Sequence, residues 1–351
     1  ILPDGTVTTF AGTGSAGSTN ATGVTSSFNE PRGIAVDALG NVFVADRNNN
    51  LIRKITAAGV TTTFAGSGSR ATTDGIGTAA AFDYPYGLAF DPAGDLYVSE
   101  YTGNVIRKIT SSGVVTTVAG SGSAGAVDAS GTSASFNGPS GLVADPNGVV
   151  YVADHLNSKV RRVSKGGVVT TLAGTGNAGL VEGASAVAKF NRVSDVTLDG
   201  RGNVYVCDEL NHRIRKISKT GVVSTLAGGS SGATDATGTA ARFNGPGGLV
   251  ADADGNLYVA EWEGHKVRKI TLQGYCGDGT LDLANSEACD AGGDNVSEVP
   301  SVDANLYITN WDNQSATDRT GNFIVTDTTV YDSSAAAKRY LDGGRVFGSN
   351  Q

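Results

Sequence analysis

Glycine spacing near the amino terminus is the first feature of this sequence that could do chemistry. Residues 12–17 read Gly-Thr-Gly-Ser-Ala-Gly, which matches the glycine fingerprint of dinucleotide-binding folds. That fingerprint needs a strand before it and a helix after it, because the helix amino terminus receives the pyrophosphate. Residues 18–33 show no helical period and contain a proline. The match by itself therefore does not establish a nucleotide site.

Acids and histidines form a second group of candidates. Three histidines on one face could in principle bind zinc, as in a metal-dependent lyase or hydrolase. Each lies on a separate turn without close ligand spacing, so we favour a structural role, with the acids paired to arginines on the next strand. Such pairs contribute about 0–1 kcal/mol each when they are exposed. The acids are Asp46, Glu100, Asp154, Asp208 and Glu261, and the histidines are His155, His212 and His265.

An internal repeat excludes the nucleotide interpretation. The sequence Thr-Phe-Ala-Gly at 9–12 recurs, with Phe, Val or Leu in its second position, at 63–66, 117–120, 171–174 and 225–228. The glycine fingerprint recurs at 120–125 and 174–179 and fails in the other repeats. A nucleotide site would not be present at several equivalent points and broken at others. The glycines therefore belong to the turns of a repeated unit.

Each repeat contains four predicted strands. The second repeat shows them at 87–91, 96–100, 105–110 and 114–120, separated by turns rich in Gly, Asn, Asp and Ser. The second strand is apolar at successive positions, which is expected for a strand that is covered on both faces. A four-stranded unit repeated at this spacing predicts an all-β protein, a β-propeller.

The recurring residues resemble a known family. The pattern P-x-G-L-A-x-D, then G-N-x-Y-V-A-D and N-x-I-R-K-I, is similar to the NHL repeat and recurs five times over residues 5–271. The resemblance implies a propeller that acts as a binding platform or an extracellular module, and a few such propellers are metal-dependent lyases. The set of His, Arg and Tyr that those lyases hold around a metal is not found in this sequence, so no catalytic residue is assigned.

The number of strands predicts how the ring closes. Residues 5–12 match the fourth strand of a repeat, whereas the fifth repeat has three strands, at 248–252, 256–260 and 266–271. We therefore expect the amino-terminal strand to complete the last of five blades and to remove the open edges. Six blades are the alternative, if the tail supplies another. Residues 1–272 are assigned to the propeller.

The pattern changes after residue 272. Residues 276–290 resemble a short Cys-rich repeat of secreted and surface proteins, which implies a module over 273–298 and a disulfide between Cys276 and Cys289. Residues 299–351 form a tail with two strand-like runs, and isolated strand pairs are marginally stable. The tail is therefore expected to contact its own propeller or a neighbouring subunit. No cofactor is assigned, but four acids of this segment bring together oxygens that could bind Ca²⁺, although solvated turn acids are the favoured interpretation: Asp278, Asp282, Glu287 and Asp290.

Charge and hydropathy exclude some classes of binding partner. The formal net charge of −8 argues against nucleic acid and anionic membranes, and no apolar run approaches membrane-spanning length. Cys207 lies alone in an apolar strand and is expected to be a buried thiol. Sequons at Asn20, Asn295 and Asn313 are candidate glycosylation sites. Together with the secreted type of Cys segment, these features favour an extracellular or cell-surface location.

These observations lead to a ranked set of functions. The favoured one is a non-enzymatic structural or adhesive propeller, a subunit of a filament or surface assembly whose tail contacts a neighbouring copy or another extracellular protein or glycan. The first alternative is a receptor domain that binds a ligand with the face bearing the long connectors, such as residues 120–141. A cluster of exposed aromatic residues on that face would favour this alternative. The second alternative is the metal-dependent lyase or hydrolase.

Overall fold

The computed structural model describes residues 6–272 and two short strands at 316–317 and 323–324. The chain divides into one compact unit of residues 1–252 with 257–270, and a second of 253–256 with 271–351. The first unit is a five-bladed β-propeller of antiparallel blades, which confirms the fold that the repeat predicts. The candidate Cys276–Cys289 disulfide, the candidate Ca²⁺ ligands and the tail from 299 onwards, apart from the two short strands, lie outside the described residues.

The blades follow one another along the chain. Blade 1 consists of β1 (Pro31–Val36), β2 (Val42–Asp46), β3 (Leu51–Ile55) and β4 (Thr61–Ala65). Blade 2 consists of β5 (Gly75–Ile76), β6 (Pro85–Phe90), β7 (Leu96–Glu100), β8 (Val105–Ile109) and β9 (Val114–Ala119). Blade 3 consists of β10 (Pro139–Ala144), β11 (Val150–Asp154), β12 (Lys159–Val163) and β13 (Val169–Ala173). Blade 4 consists of β14 (Gly183–Ala184), β15 (Val193–Leu198), β16 (Val204–Asp208), β17 (Arg213–Ile217) and β18 (Val222–Gly228). Blade 5 consists of β19 (Pro246–Ala251), β20 (Leu257–Glu261) and β21 (Lys266–Ile270).

Short elements complete the described chain. In the second unit, β22 (Ala316–Thr317) pairs antiparallel with β23 (Phe323–Ile324). The two-residue strands β5 and β14 each extend a four-stranded blade by pairing with its outermost strand. Single turns of 3-10 helix lie in the connectors or after the second strands, at Gly23–Thr25, Arg47–Asn49, Gly77–Ala79, Gly131–Ser133, His155–Asn157, Glu209–Asn211 and Gly238–Ala240. No helix within residues 6–272 is long and apolar enough to cross a membrane.

The core lies between the blades. All five residues of β7 are buried, as expected for a second strand that is covered on both faces. The aromatic residue that ends each connector fills the space between neighbouring blades, and Phe82, Phe136 and Phe190 are fully buried there. Burial of these apolar surfaces is the main force that holds the blades together.

The first strands surround the propeller axis. Each first strand packs on the first strand of the next blade, from β1 through β6, β10 and β15 to β19. Within a blade, the first residue of the first strand lies opposite the acid that ends the second strand, as Pro139 lies opposite Asp154. The start of the first strands, the end of the second strands and the long connectors therefore share one face. We call the axial part of that face the mouth.

The structure corrects the predicted closure of the ring. Residues 6–10 form no strand, and within the described chain β21 is hydrogen-bonded to β20 alone. The N–H group of Gly12 donates to Gly23 O at 3.1 Å, which ties the end of this segment to the connector of blade 1. Gly66, the equivalent residue one repeat later, also lies against the start of its own third strand, whereas Gly12 lies only against the ring of Phe28. The amino-terminal segment therefore does not complete blade 5.

The two terminal blades consequently expose apolar surface. Ile34 of β1 is 65% exposed, whereas the equivalent Val196 of β15 is 2% exposed. Val267 of β21 is 75% exposed, whereas the equivalent Ile214 of β17 is fully buried. Because blades 2, 3 and 4 have a neighbour on both sides, these residues are covered there. Blade 1 and blade 5 each keep one face open within the described chain.

Candidate functional site

The acids that end the second strands lie beneath the mouth and not on its surface. Asp46 Oδ2 accepts from Arg53 Nη1 at 2.7 Å, and neither side chain has exposed surface. The second carboxylate oxygen accepts from the N–H group of Asn29 at 2.7 Å, which fixes the end of the connector. The same pairing joins Glu100 to Arg107, Asp154 to Arg161, Asp208 to Arg215 and Glu261 to Arg268.

Burial changes the energetic role of these pairs. The sequence interpretation treated them as exposed pairs of small value, and the structure places the first four entirely inside the protein. A connector phenylalanine also covers each guanidinium, as Phe28 does for Arg53 at 5.1 Å from the ring centroid. Removal of one partner of a buried ion pair lowers the stability of the folded protein by about 3–5 kcal/mol. These acids therefore hold the connectors in place and are not available to a ligand.

The residue that follows each buried acid faces the mouth and differs from blade to blade. These five residues are Arg47, Tyr101, His155, Glu209 and Trp262. Tyr101 Oη lies 3.1 Å from His155 Nδ1, and His155 Nε2 lies 3.1 Å from Glu209 Oε2. A neutral imidazole protonated at Nε2 satisfies both contacts, since it donates to the carboxylate and accepts from the phenol. Three adjacent blades are thus joined by a Tyr–His–Glu chain.

Arginine and aromatic side chains form the other half of the mouth. The Arg32 guanidinium of β1 lies 4.7 Å from the ring centroid of Trp262 and 5.7 Å from that of Tyr86. The rings of Tyr86 and Tyr101 lie 5.5 Å apart. Trp262 remains 59% exposed although it stacks on an arginine. The mouth therefore presents flat aromatic surface next to charged hydrogen-bonding groups.

Next to this cluster, arginines from two blades cover Tyr84. Arg47 and Arg70 lie 4.6 Å and 4.5 Å from its ring centroid. Arg47 also bonds Glu30 at 2.6 Å. Stacking of this kind restricts arginine side chains that would otherwise be mobile. The rim beside the mouth is therefore largely pre-organised. We call Arg32, Tyr86, Tyr101, His155, Glu209 and Trp262 the mouth cluster.

Burial raises the pKa of two phenols in the mouth cluster. The pKa of Tyr86 rises because of desolvation, against the opposing charge of Arg32. The pKa of Tyr101 rises for the same reason, against the opposing charge of Arg192. Both residues are therefore neutral phenols at physiological pH and act as hydrogen-bond donors and acceptors.

The structure separates the three candidate histidines. His155 lies in the Tyr–His–Glu chain, whereas His212 Nδ1 accepts from the N–H group of Gly245 at 3.2 Å. His212 and His265 both adopt a left-handed backbone conformation, with φ near 54° and 52°, at the turn into the third strand. Within residues 6–272, no three His, Cys, Asp or Glu side chains are grouped so that they could hold a metal ion.

Two further sequence candidates have a described environment. Asn20 is exposed, and its Oδ1 accepts from Arg53 Nη2 at 2.8 Å, so glycosylation there stays a prediction. Cys207 is fully buried, as expected, and is a free thiol. Asn295 and Asn313 lie outside the described residues.

Most of the mouth cluster is not evident from residue type and spacing. His155 and the buried acids are candidates from the sequence, whereas Tyr101, Trp262 and Arg32 are not. A usable signal exists, because the position after the recurrent acid carries five different residue types, whereas the acid before it and the arginine of the third strand recur in every repeat. A position that varies within an otherwise regular repeat has no common packing role, so it is a candidate for function.

Comparison with known proteins identifies the repeat. Residues 28–55, 136–163 and 243–270 match the NHL repeat, so the chain contains NHL repeats. NHL repeat-containing protein 2 of Homo sapiens is 32% identical over 289 residues, which cover 71% of this chain and 40% of that protein. This chain thus spans less than half the length of that curated relative.

Solved structures show the same fold at low identity. An auxiliary nutrient binding protein from Bacteroides ovatus has a TM-score of 0.55 and 19% identity, over 70% of this chain and 59% of that one. A virginiamycin B lyase from Staphylococcus aureus, an enzyme, matches with a TM-score of 0.46 and 17% identity, over 70% of this chain and 67% of that one. The match to the first of these structures, together with the NHL repeats, establishes the NHL β-propeller fold, and a fold alone does not determine whether a protein is an enzyme.

Proposed function

We propose that this propeller is a non-catalytic binding module that takes its ligand at the mouth cluster. The observation that carries the proposal is the concentration of unlike functional side chains at one repeat position, where they join into the Tyr–His–Glu chain. The other recurrent positions of the repeat serve packing. Aromatic faces next to fixed donors and acceptors are typical of sites that orient a small ligand or a peptide end.

The chemistry of the Tyr101–His155–Glu209 chain supports binding over catalysis. A phenol whose pKa is raised by burial supplies little phenolate at neutral pH, so Tyr101 is a poor nucleophile or base. The His155 imidazole, bonded at both nitrogens, is held in one orientation. His155 thereby positions the Tyr101 hydroxyl and the Glu209 carboxylate, whose remaining oxygen lone pairs can accept hydrogen bonds from a ligand without a further conformational change. The name of one structural neighbour, an auxiliary nutrient binding protein, is consistent with such a role.

The test is a ligand screen that reports on Trp262. The 351-residue chain with Trp311→Phe, which leaves Trp262 as its single tryptophan, is titrated with a panel of amino acids, short peptides and mono- and disaccharides. We expect at least one class to quench Trp262 fluorescence, and His155→Ala to weaken that binding about tenfold. His212→Ala is the matched control, because that histidine caps a turn outside the cluster. Binding that survives His155→Ala and Tyr101→Phe unchanged would contradict the proposal.

A second candidate function, a subunit of an extracellular structural assembly, is supported by the open faces of blades 1 and 5. Ile34 and Val267 expose apolar surface on blades 1 and 5, which also approach each other at the mouth through Arg32 and Trp262. A neighbouring copy that covers one of these faces with an unlike surface builds open filaments when the contact does not close. In this proposal the propeller comprises residues 1–272, the Cys-rich module residues 273–298 and the tail residues 299–351. Sedimentation velocity of the full chain tests it: concentration-dependent growth that Val267→Asp abolishes would support assembly, and a monomer at all concentrations would exclude it.

A further inference from the structure

Asp195 of β15 breaks the repeat at the propeller axis. The equivalent residues of the other four blades are glycines, Gly33, Gly87, Gly141 and Gly248. Space is tight at the first three, because a Cβ there would clash with an oxygen atom of the next blade, at Gly141 with the Asp195 carboxylate. A carboxylate thus stands where the four other blades have a hydrogen atom.

The Asp195 carboxylate has no cationic partner in the described part of the chain. Oδ1 accepts from the N–H group of Val196 at 2.8 Å, and Oδ2 accepts from that of Leu249 at 2.8 Å. The five acids that end the second strands each have an arginine, and Asp195 has none. Loss of hydration raises its pKa to about 7. An ionised carboxylate in such surroundings is stabilised by a positive charge brought close to it.

Asp195 lies deeper in β15 than the mouth. Val193, the first residue of β15, lies opposite Asp208 at the mouth, and Asp195 follows it within the β-bulge between Val193 and Val196. Asp195 is half-buried, so part of it remains accessible although both carboxylate oxygens accept backbone N–H groups. Burial raises the pKa of the Tyr86 phenol, and the charges of Asp195 and Glu209 add to that effect. Tyr86 of the mouth cluster therefore lies within electrostatic range of both acids.

We propose that Asp195 anchors the ligand of the mouth cluster by pairing with a protonated amine that enters along the axis. This inference rests on the proposed function, since the mouth cluster is the entrance. Glu209 at the rim adds a second negative charge on the way in. The Arg32 guanidinium lies against the faces of Trp262 and Tyr86. Because Glu209 lies on the same rim, the rim carries both signs of charge.

The direct test measures the protonation of Asp195 in the presence of a probe amine. Full-length protein with ¹³Cγ-labelled aspartate is titrated with pH, and the Asp195 resonance is assigned by its loss in Asp195→Asn. The probe is n-butylammonium, and n-butanol is the neutral control of similar shape. The titratable neighbours of Asp195 are Tyr86, Cys207 and Glu209, and the first two stay neutral across this range because burial raises their pKa.

We expect n-butylammonium to lower the Asp195 midpoint by about one unit or more, which corresponds to a tenfold preference for the ionised carboxylate. n-Butanol leaves the midpoint unchanged, and Asp195→Gly, which restores the residue of the four other blades, binds the amine about tenfold more weakly. If n-butylammonium does not change the Asp195 midpoint, or if Asp195→Asn binds n-butylammonium as tightly as the unsubstituted protein, the inference is overturned. Asp195 is then a buried carboxyl that stays protonated and binds no amine. If Trp262 fluorescence still responds to the screened ligands in Asp195→Asn, the proposed function stands while this inference fails.

Discussion

Removal of one buried carboxylate is expected to cost far more stability than removal of an exposed carboxylate from the same arginine. Arg161 bonds Asp154 at 2.7 Å and Asp128 at 2.6 Å. The Asp154 side chain is fully buried, whereas that of Asp128 is 44% exposed. Asp154→Asn leaves the Arg161 charge buried without its inner partner, and we expect a loss of about 3–5 kcal/mol. Asp128→Asn leaves a partly solvated group, and we expect a loss of about 1 kcal/mol or less.

The assay is urea-induced unfolding of the full chain, followed by circular dichroism, for both variants and for Arg161→Met. A double variant, Asp154→Asn with Arg161→Met, separates the charge effect from lost packing. Because the stranded charge is absent from the double variant, its loss should be smaller than the sum of the single losses by about 1–3 kcal/mol. If the stability losses of the single variants add up in the double variant, or if Asp154→Asn and Asp128→Asn lose equal stability, burial does not control how much the ion pair contributes to stability.

Three further predictions concern the axis and the core. Burial raises the pKa of Asp195 to about 7 from 3.8, so the folded state holds a proton that the unfolded chain releases between these values. The contribution of this group to stability therefore falls as pH rises from about 4 to 7, and Asp195→Asn should flatten that slope in urea midpoints measured across the range. Val267→Asp should cost less than about 0.5 kcal/mol because the side chain is exposed, whereas Ile214→Asp should cost about 4 kcal/mol or more in the same assay. Cys207 should resist iodoacetamide in the folded protein and react after denaturation, as read by mass spectrometry of its peptide, because burial raises the pKa of its thiol; alkylation of the native protein would contradict its burial.

The repeat and its strands can be predicted from the amino-acid sequence alone. Steps of 54 residues between T-[FVL]-A-G segments locate the blades, and strands such as β7 fall within one residue of the predicted bounds. This works because local strand and turn preferences agree with the packing in every repeat, so each copy reports the same structure. The pairing of each second-strand acid with a third-strand arginine also follows from the sequence, since the two strands are neighbours in a hairpin.

The tertiary structure decided what the repeat cannot encode. Whether the acid–arginine pairs lie at the surface or inside depends on the connectors that cover them, which come from more distant parts of the chain. The Tyr101–His155–Glu209 chain joins residues 54 apart, and only the ring arrangement of the blades brings them within hydrogen-bond distance. The closure of blade 5 was predicted wrongly because a matching strand sequence does not specify the edge on which it pairs. Local sequence fixes the blade, and long-range packing fixes which unlike residues meet at the axis.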